Sequence, residues 1–318
     1  MQHFDFDAVH RLTGVCGLIE PLRRAFASNA RSPDRAHYDL GPPDQPRTLL
    51  LMPSWQSKGA VGVKIATVFP GNAEHGLPSV NAAYLLMSGQ TGEPLAWIDG
   101  RALTLLRTAA VAALAADLLA PAKPEVLLMV GTGALAPYLV EGHCAVRDYR
   151  AVLVWGRNAR RAEVVARDLA TRGWPASVAP DLEAAARSAD VVACATLADR
   201  PLIRGAWLKS HYHLNLIGSF RPDMREADDA SLRHADIVVD TLAALRESGD
   251  LAGPLASGVI HESQVVLLND LASRTKLTKP AARTVFKSVG VAHADLAAAE
   301  HVYRAAHPAA SADPPGKR

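Results

Sequence analysis

The stretch from residue 125 to residue 161 constrains the fold of this chain more than any other. An apolar run, Val126–Val130, leads into Gly131-Thr132-Gly133, and a second apolar run, Ala151–Trp155, follows a helical segment. Glycines at these positions let the backbone turn sharply beside a pyrophosphate, whose charge the N-terminus of the next helix favours. The pattern predicts the first βαβ unit of a dinucleotide-binding domain. An ordinary tight turn between strand and helix is the competing interpretation.

The end of the second apolar run indicates which coenzyme the chain prefers. NAD-binding domains usually carry an Asp or Glu there, about 20 residues after the first glycine, to hold the ribose hydroxyls. This chain instead has Gly156-Arg157-Asn158, with Arg160 and Arg161 close behind. Because arginine pairs well with a 2′-phosphate, NADP(H) is the predicted coenzyme and NAD(H) the alternative. The alternative interpretation is that these arginines are ordinary solvent-exposed residues at the start of a helix.

The composition suits a globular protein with two domains and sizeable cores, since 49% of the 318 residues are hydrophobic and 21% are charged. A net charge of +2 gives no electrostatic reason to expect nucleic acid or a membrane. No apolar run approaches the roughly 20 residues that cross a bilayer, and the acidic N-terminus is unlike a signal peptide. Three scattered cysteines favour the reducing cytoplasm. The tail after His307 is predicted to be disordered.

The order of strand and helix patterns predicts an α/β fold. After residue 125 strands alternate with helices, which indicates a Rossmann-type doubly wound parallel sheet over residues 121–288. Before it, strand-like runs predict a mostly antiparallel sheet, followed by an alanine-rich helix from Thr104 to Leu119. The amphipathic stretch from Asp295 to Ala306 is expected to return to the first domain. Residues 1–120 and 289–318 would therefore form a discontinuous α+β domain.

Ten short motifs occur together along the chain in a recognisable order. They are Met52-Pro53, Gly62-Val63-Lys64, Phe69-Pro70-Gly71-Asn72, residues 91–95, 103–110, Gly131-Thr132-Gly133, Ile217-Gly218-Ser219, Arg225-Glu226, residues 248–251, and residues 286–292 with Asp295. Over about residues 30 to 306 the chain thereby resembles the ornithine cyclodeaminase/mu-crystallin family. The resemblance implies that residues 1–120 and 289–318 form a substrate and dimerisation domain beside the Rossmann domain. It also implies a homodimer, a nicotinamide coenzyme, and a 2-amino or 2-imino carboxylate as substrate.

The resemblance also implies which side chains bind the substrate carboxylate, namely Arg35, Lys64 and Arg107. Arginine suits such an anion because it can pair with both oxygens. Each residue has a plainer interpretation. Arg35 lies in a polar loop, where Arg47 is a competing candidate; Lys64 could point to solvent from its apolar strand; Arg107 could form a surface ion pair.

Residues that match dinucleotide-binding positions of the family are spread over both predicted domains. They are Ser79, Arg107, Thr108, Gly131, Gly133, Ala134, Leu135, Gly156, Arg157, Asn158, Thr196, Gly218 and Ser288. No metal site is predicted, because His143 and the His211-Tyr212-His213 run lack Cys or acidic ligands at a convincing spacing.

One departure from the family distinguishes its branches. Cyclodeaminases carry an aspartate two residues after the glycine at position 218, whereas this chain has Phe220, which cannot exchange a proton; Asp223 does not align with that role. The resemblance then favours the ketimine reductases. The predicted reaction reduces Δ1-pyrroline-2-carboxylate or Δ1-piperideine-2-carboxylate to L-proline or L-pipecolate. Lys64 is the predicted catalytic residue, Phe220 an apolar wall for the ring, and Lys64 or a water the proton donor.

Two other functions stay open on the sequence alone. One is a cyclodeaminase that converts L-ornithine into L-proline and ammonia with NAD as a recycled coenzyme. The other is a non-catalytic protein of mu-crystallin type that binds NADP or a small ligand.

Overall fold

A computed structural model describes residues 1–28, 30–42, 44–56, 59–273 and 282–308, without the side chains of residues 73 and 74. The tail that the sequence predicts to be disordered lies, from residue 309 on, outside the described residues. The chain divides into two compact units. Unit 1 comprises Met1–Arg107 and Val291–Arg318, and unit 2 comprises Thr108–Gly290.

The elements follow one another along the chain in this order: β1 (Gln2–Phe4), α1 (Phe6–Leu12), α2 (Val15–Phe26), β2 (Ala36–Asp39), β3 (Thr48–Trp55), β4 (Val61–Val68), β5 (Val80–Met87), β6 (Pro94–Asp99), α3 (Gly100–Leu119), β7 (Val126–Val130), α4 (Ala136–Val146), β8 (Ala151–Trp155), α5 (Ala159–Thr171), β9 (Ala176–Val178), α6 (Leu182–Ser188), β10 (Val191–Cys194), β11 (Tyr212–Leu216), β12 (Asp236–Val239), α7 (Ala244–Glu247), α8 (Gly249–Ala256), β13 (Val265–Leu267), α9 (Leu268–Ala272), β14 (Arg283–Lys287) and α10 (Ala292–Ala305). Short 3₁₀ turns connect some of them.

Unit 1 is built on a six-stranded sheet with the order β1-β6-β5-β4-β3-β2. β1 runs parallel to β6, and the other neighbours are antiparallel. One face carries Met52, Lys64 and Tyr84 in register on β3, β4 and β5, and all three are buried. Helix α10 contacts these same strands and packs against α2. Alternation along the strands thus turns Lys64 inward.

The opposite face of this sheet, here called the outer face, is apolar. Pro53, Val63, Leu85 and Trp97 lie in register across β3, β4, β5 and β6. All four are partly exposed, as is the neighbouring Leu51. Such a contiguous apolar surface is typical of a protein–protein contact.

Unit 2 is built on an eight-stranded sheet with the order β13-β12-β14-β11-β10-β7-β8-β9. Every neighbouring pair is parallel. β7, β10 and β11 are buried along their whole length, as expected for strands with both faces covered. The strand order reverses between β7 and β10, where open parallel sheets bind ligands at their carboxyl edge. The predicted Rossmann-type doubly wound fold is confirmed.

Helix α3 begins at Gly100, before the predicted start at Thr104, and differs from the sequence prediction in two further respects. Its 20 residues have a mean hydropathy of 1.7 over the most apolar window, so by length and composition it could cross a membrane. The expectation that no apolar run approaches that length was wrong, although 78% of the window is buried within the fold. The first unit also ends at Arg107 rather than at residue 120. The later turns of α3 belong to unit 2 because Asn215 and Thr284 donate hydrogen bonds to the carbonyls of Ala112 and Leu119.

Candidate active site

A buried cluster of three charged side chains lies in unit 1, on the inner face of the sheet. The Asp295 carboxylate is fully buried and accepts hydrogen bonds from Arg107 Nε at 2.9 Å and from Lys64 Nζ at 3.2 and 3.4 Å. Lys64 Nζ also donates to Thr104 Oγ1 at 3.2 Å. Lys64 and Arg107 are each 5% exposed. Two of the three residues predicted to bind carboxylate therefore share one buried acid.

Three separate elements supply the cluster. Lys64 stands in the middle of β4, opposite Met52 and Tyr84. Arg107 projects from the second turn of α3, and Asp295 lies in the first turn of α10. A carboxylate is favoured there by the positive end of the helix dipole.

The charges of the cluster do not balance. Burial lowers the pKa of Lys64 to about 8, against the pull of Asp295 and together with the repulsion from Arg107. Burial alone would raise the pKa of Asp295, but Arg107 and Lys64 more than offset it and hold that pKa below its usual value. When Lys64 is protonated, two cations face one anion, so the site carries one surplus positive charge.

Only part of the hydrogen-bonding capacity of Arg107 is used by Asp295. Its Nε is committed to Asp295, while the two terminal guanidinium nitrogens have no hydrogen-bond partner among the described residues. Two parallel N–H groups of this kind match the two oxygens of a carboxylate. The cluster is therefore suited to receive one small carboxylate anion.

The structure distinguishes the two candidates for a third cation. Arg35 directly precedes β2 and is half-buried, and its charge contributes to lowering the pKa of Lys64. Arg47 is exposed, donates to Gln45 Oε1, and lines a cavity of about 720 Å³ whose lining excludes the cluster residues. The placement favours Arg35 over Arg47.

The predicted glycine turn lies in unit 2 at the carboxyl end of β7. Gly131 has a φ of +120°, and its N–H donates to the carbonyl of Trp155 at the end of β8. A Cβ on Gly131 would come within 2.4 Å of the Ala195 carbonyl oxygen, whereas a Cβ on Gly133 would meet nothing within 4 Å. Gly131 thus serves close packing of the loops, while Gly133 is exposed at the turn before α4.

The other predicted dinucleotide residues of unit 2 follow neighbouring strands. Ala134 is exposed beside Gly133, and Leu135 is the N-cap residue of α4, which begins next to Pro137. A Cβ on Gly156 would lie 2.6 Å from Thr132 Cγ2, so the loops after β7 and β8 touch. Arg157 is exposed after β8, and Asn158 caps α5 by accepting from the Arg161 amide.

A buried carboxylate links the loop after β10 to the loop after β11. Glu226 is fully buried and accepts from Thr196 N and Oγ1 at 2.7 and 2.9 Å and from Gly218 N at 2.7 Å. Its backbone N–H donates to Asp250, whose other oxygen accepts from the fully buried Lys287. Burial raises the pKa of Glu226. The Arg225-Glu226 motif was visible in the sequence, but its contacts were not.

The remaining predicted residues have varied surroundings. Ser288 is buried and donates to Asp240 Oδ2 at 2.6 Å, so its hydroxyl is already engaged. Thr108 is 8% exposed on α3, and Phe220 is 39% exposed in the turn after β11. Ser79 is half-buried and belongs to unit 1, where its carbonyl accepts from Phe69 N. Within the described ranges, no three His, Cys, Asp or Glu side chains are grouped as metal ligands.

Comparison with known proteins gives concordant matches over nearly the whole chain. The model of the ornithine cyclodeaminase/mu-crystallin family matches residues 5–309. Delta(1)-pyrroline-2-carboxylate reductase of Colwellia psychrerythraea is 36% identical, over 95% of this chain and 98% of that protein. Ketimine reductase mu-crystallin of Mus musculus is 35% identical, over 90% and 91%. Thermococcus litoralis Delta(1)-pyrroline-2-carboxylate reductase, solved with NADH and L-proline, is 30% identical with a TM-score of 0.90, over 96% and 97%.

Proposed function

This chain belongs to the ornithine cyclodeaminase/mu-crystallin family, and from that premise we propose that it is an NAD(P)H-dependent reductase of cyclic ketimine carboxylates. The substrate is Δ1-pyrroline-2-carboxylate or Δ1-piperideine-2-carboxylate, and the product is L-proline or L-pipecolate. The observation that carries the proposal is the surplus positive charge of the Lys64–Arg107–Asp295 cluster, which a single carboxylate neutralises. The L-proline in the Thermococcus structure carries a carboxylate of the same class.

The substrate carboxylate pairs with the free fork of Arg107 and with Lys64. These contacts fix the position of C2 of the imine, and positioning of this kind accounts for a large part of catalysis by many enzymes. A bound nicotinamide coenzyme supplies the hydride that C2 receives. The glycine turn, the N-terminus of α4 and the loops that Glu226 braces fit a dinucleotide, because Gly133 leaves room for a close backbone approach and the start of α4 presents the positive end of a helix dipole.

Lys64 donates the proton that the imine nitrogen requires. Reduction of a C=N bond adds one hydride to carbon and one proton to nitrogen, so an acid must be available near neutral pH. Because burial brings the pKa of Lys64 to about 8, this side chain can lose its proton in that range more readily than an exposed lysine.

An assay that follows coenzyme and product in the same reaction tests the proposed function. The purified protein is given NADPH and freshly prepared Δ1-pyrroline-2-carboxylate, and loss of reduced nicotinamide and formation of proline are measured together. L-ornithine with NAD is assayed in parallel. Oxidation of one coenzyme for each proline formed supports the reductase. Release of ammonia from ornithine without net coenzyme change would support the cyclodeaminase, and nucleotide binding without turnover of any ketimine would support the binding protein.

Coenzyme preference is predicted from Arg157. We propose that this exposed arginine at the end of β8 pairs with the 2′-phosphate of NADP(H), because β8 is not followed by an acidic residue that would hold the ribose of NAD(H). Arg157→Ala should raise the KM for NADPH by about tenfold and leave the KM for NADH nearly unchanged. Arg167→Ala, on the exposed side of α5, is the matched control. A clear NADH preference of the unaltered enzyme would refute the assignment, and the NADH in the Thermococcus structure makes that comparison necessary.

We propose that the functional form is a homodimer that buries the outer face of unit 1. The in-register apolar row of Val63, Leu85 and Trp97 supports this arrangement. Sedimentation should give about twice the chain mass of 33.8 kDa. Leu85→Glu places a charge in the row and should yield monomers, whereas Val164→Glu, at an exposed apolar position on α5, should not. A dimeric Leu85→Glu variant would exclude this face as the contact.

A further inference from the structure

The acid of the buried cluster has no role in the function proposed so far. Among the described residues, Asp295 is the one acid that both Lys64 and Arg107 contact. It comes from α10, near the end of the chain, and lies 231 and 188 positions away from those partners. Asp295 accepts from both cations and leaves Arg107 with donors for a ligand.

The contact with Asp295 fixes the orientation of the Arg107 guanidinium. Asp295 Oδ1 accepts from Nε, the nitrogen nearest the side-chain stem, at 2.9 Å. This contact uses one edge of the guanidinium and leaves the terminal edge, with its two parallel donors, without a protein partner among the described residues. The plane of the fork is thereby fixed before any anion arrives, which lowers the ordering cost of binding.

The contact with Asp295 also favours the protonated form of Lys64. Among the described residues Lys64 Nζ has two acceptors, the Asp295 carboxylate and Thr104 Oγ1, so one of its three N–H groups remains for the substrate. The carboxylate and the imine nitrogen of a 2-imino carboxylate are close enough together to share that N–H. Arg107 and Arg35 both disfavour the protonated amine, as burial does, while Asp295 favours it. Without Asp295, burial and the charges of Arg107 and Arg35 would lower the pKa of Lys64 further.

The other titratable groups near the cluster do not replace this acid. Tyr84 lies opposite Lys64 on β5, and its buried hydroxyl has no hydrogen-bond partner in the part of the chain that the structure describes. Burial, Asp295 and Glu300 raise the pKa of Tyr84 well above its usual value. His293 precedes Asp295 on α10, and burial lowers its pKa to about 4. Both are therefore neutral near pH 7, so Asp295 is the counter-charge of the cluster.

We propose that Asp295 is a positioning residue of the reduction, which aims the Arg107 fork at the substrate carboxylate and keeps Lys64 protonated to serve as the acid. The inference rests on the proposed function and deepens it. Asp295 itself does not touch substrate. Its two effects are separable, because orientation needs only an acceptor of the right shape, whereas the charge state of Lys64 needs a negative charge.

Two substitutions separate charge from shape. Asp295→Asn keeps the shape and removes the charge, and Asp295→Glu keeps the charge and moves it by one methylene. The pH dependence of kcat/KM is measured for the unaltered enzyme and both variants with the same ketimine. Loss of the Lys64 proton should reduce activity as pH rises above about 8 in the unaltered enzyme. Because Asp295 raises the pKa of Lys64, this alkaline limb should move to lower pH in Asp295→Asn, by about 1 to 3 units.

Controls make each outcome decisive. Asp295→Glu should keep the alkaline limb in place while kcat/KM falls at every pH, and Glu300→Gln, an acid farther along α10, should change neither. Nucleotide affinity and the melting temperature identify a variant that has lost its fold. An alkaline limb shared by the unaltered enzyme, Asp295→Asn and Asp295→Glu overturns the inference and leaves the proposed function standing. Absence of ketimine turnover in the unaltered enzyme overturns both.

Discussion

Lys64→Met should lower kcat/KM for the ketimine by about 10³-fold or more while the protein stays folded. The substitution removes the proton donor, and a positioned acid contributes about 10²–10⁴-fold to the rate. It also removes one charge-assisted contact with the carboxylate. Methionine preserves the unbranched stem within the packed inner face. Because Arg107 and Asp295 then form a balanced pair, the free energy of unfolding should change by no more than about 1 kcal/mol.

A second buried lysine gives the contrasting case. Lys287 pairs with Asp250, both fully buried, beside the fully buried Glu226. Lys287→Met leaves these acids without their cation and should cost about 3–5 kcal/mol of stability. The exposed Lys123→Met should alter neither property. Steady-state kinetics and chemical denaturation measure both effects, and a Lys64→Met enzyme with unaltered kcat/KM would show that the catalytic assignment is wrong.

Gly131→Ala should destabilise unit 2, whereas Gly133→Ala should affect mainly the nucleotide. At Gly131 the φ of +120° disfavours any side chain, and the new Cβ would lie 2.4 Å from the Ala195 carbonyl oxygen. The expected loss of stability is at least about 2 kcal/mol. At Gly133 no atom lies within 4 Å of an added Cβ, so stability should change by less than about 0.5 kcal/mol.

The same pair of variants tests where the pyrophosphate binds. If the backbone of Gly133 approaches the phosphates, a methyl group there should weaken NADPH binding by about tenfold in an intact protein. Fluorescence titration with NADPH and thermal denaturation give the two readouts. Equal NADPH affinity of Gly133→Ala and the unaltered protein would place the dinucleotide elsewhere.

The sequence predicted the features that local pattern controls. The glycine turn, β7, β8 and α5 follow from apolar periodicity and turn-forming glycines. The pattern alone left two positions open for Lys64, in a site or facing solvent, and the structure buries it. The resemblance to a family then identified which cations belong together. Each of these patterns is local in sequence, and the tertiary structure agrees with it.

Features that depend on distant partners were not predictable in this way. β14 reads as a polar segment, Arg-Thr-Val-Phe-Lys, yet it lies inside the sheet because Thr284 and Lys287 find buried acceptors. β1 is a strand only through its pairing with β6. Glu226 and Asp295 acquire their roles from contacts with loops and elements far away in the chain.

The most direct test of the proposed reduction follows the hydride itself. NADPH deuterated at both C4 positions is incubated with the protein and Δ1-pyrroline-2-carboxylate, and the proline is analysed by mass spectrometry and NMR. The proposed mechanism predicts one deuterium per proline, located at C2, with one coenzyme oxidised per molecule formed. Proline without deuterium at C2, or coenzyme oxidation without proline, would contradict it.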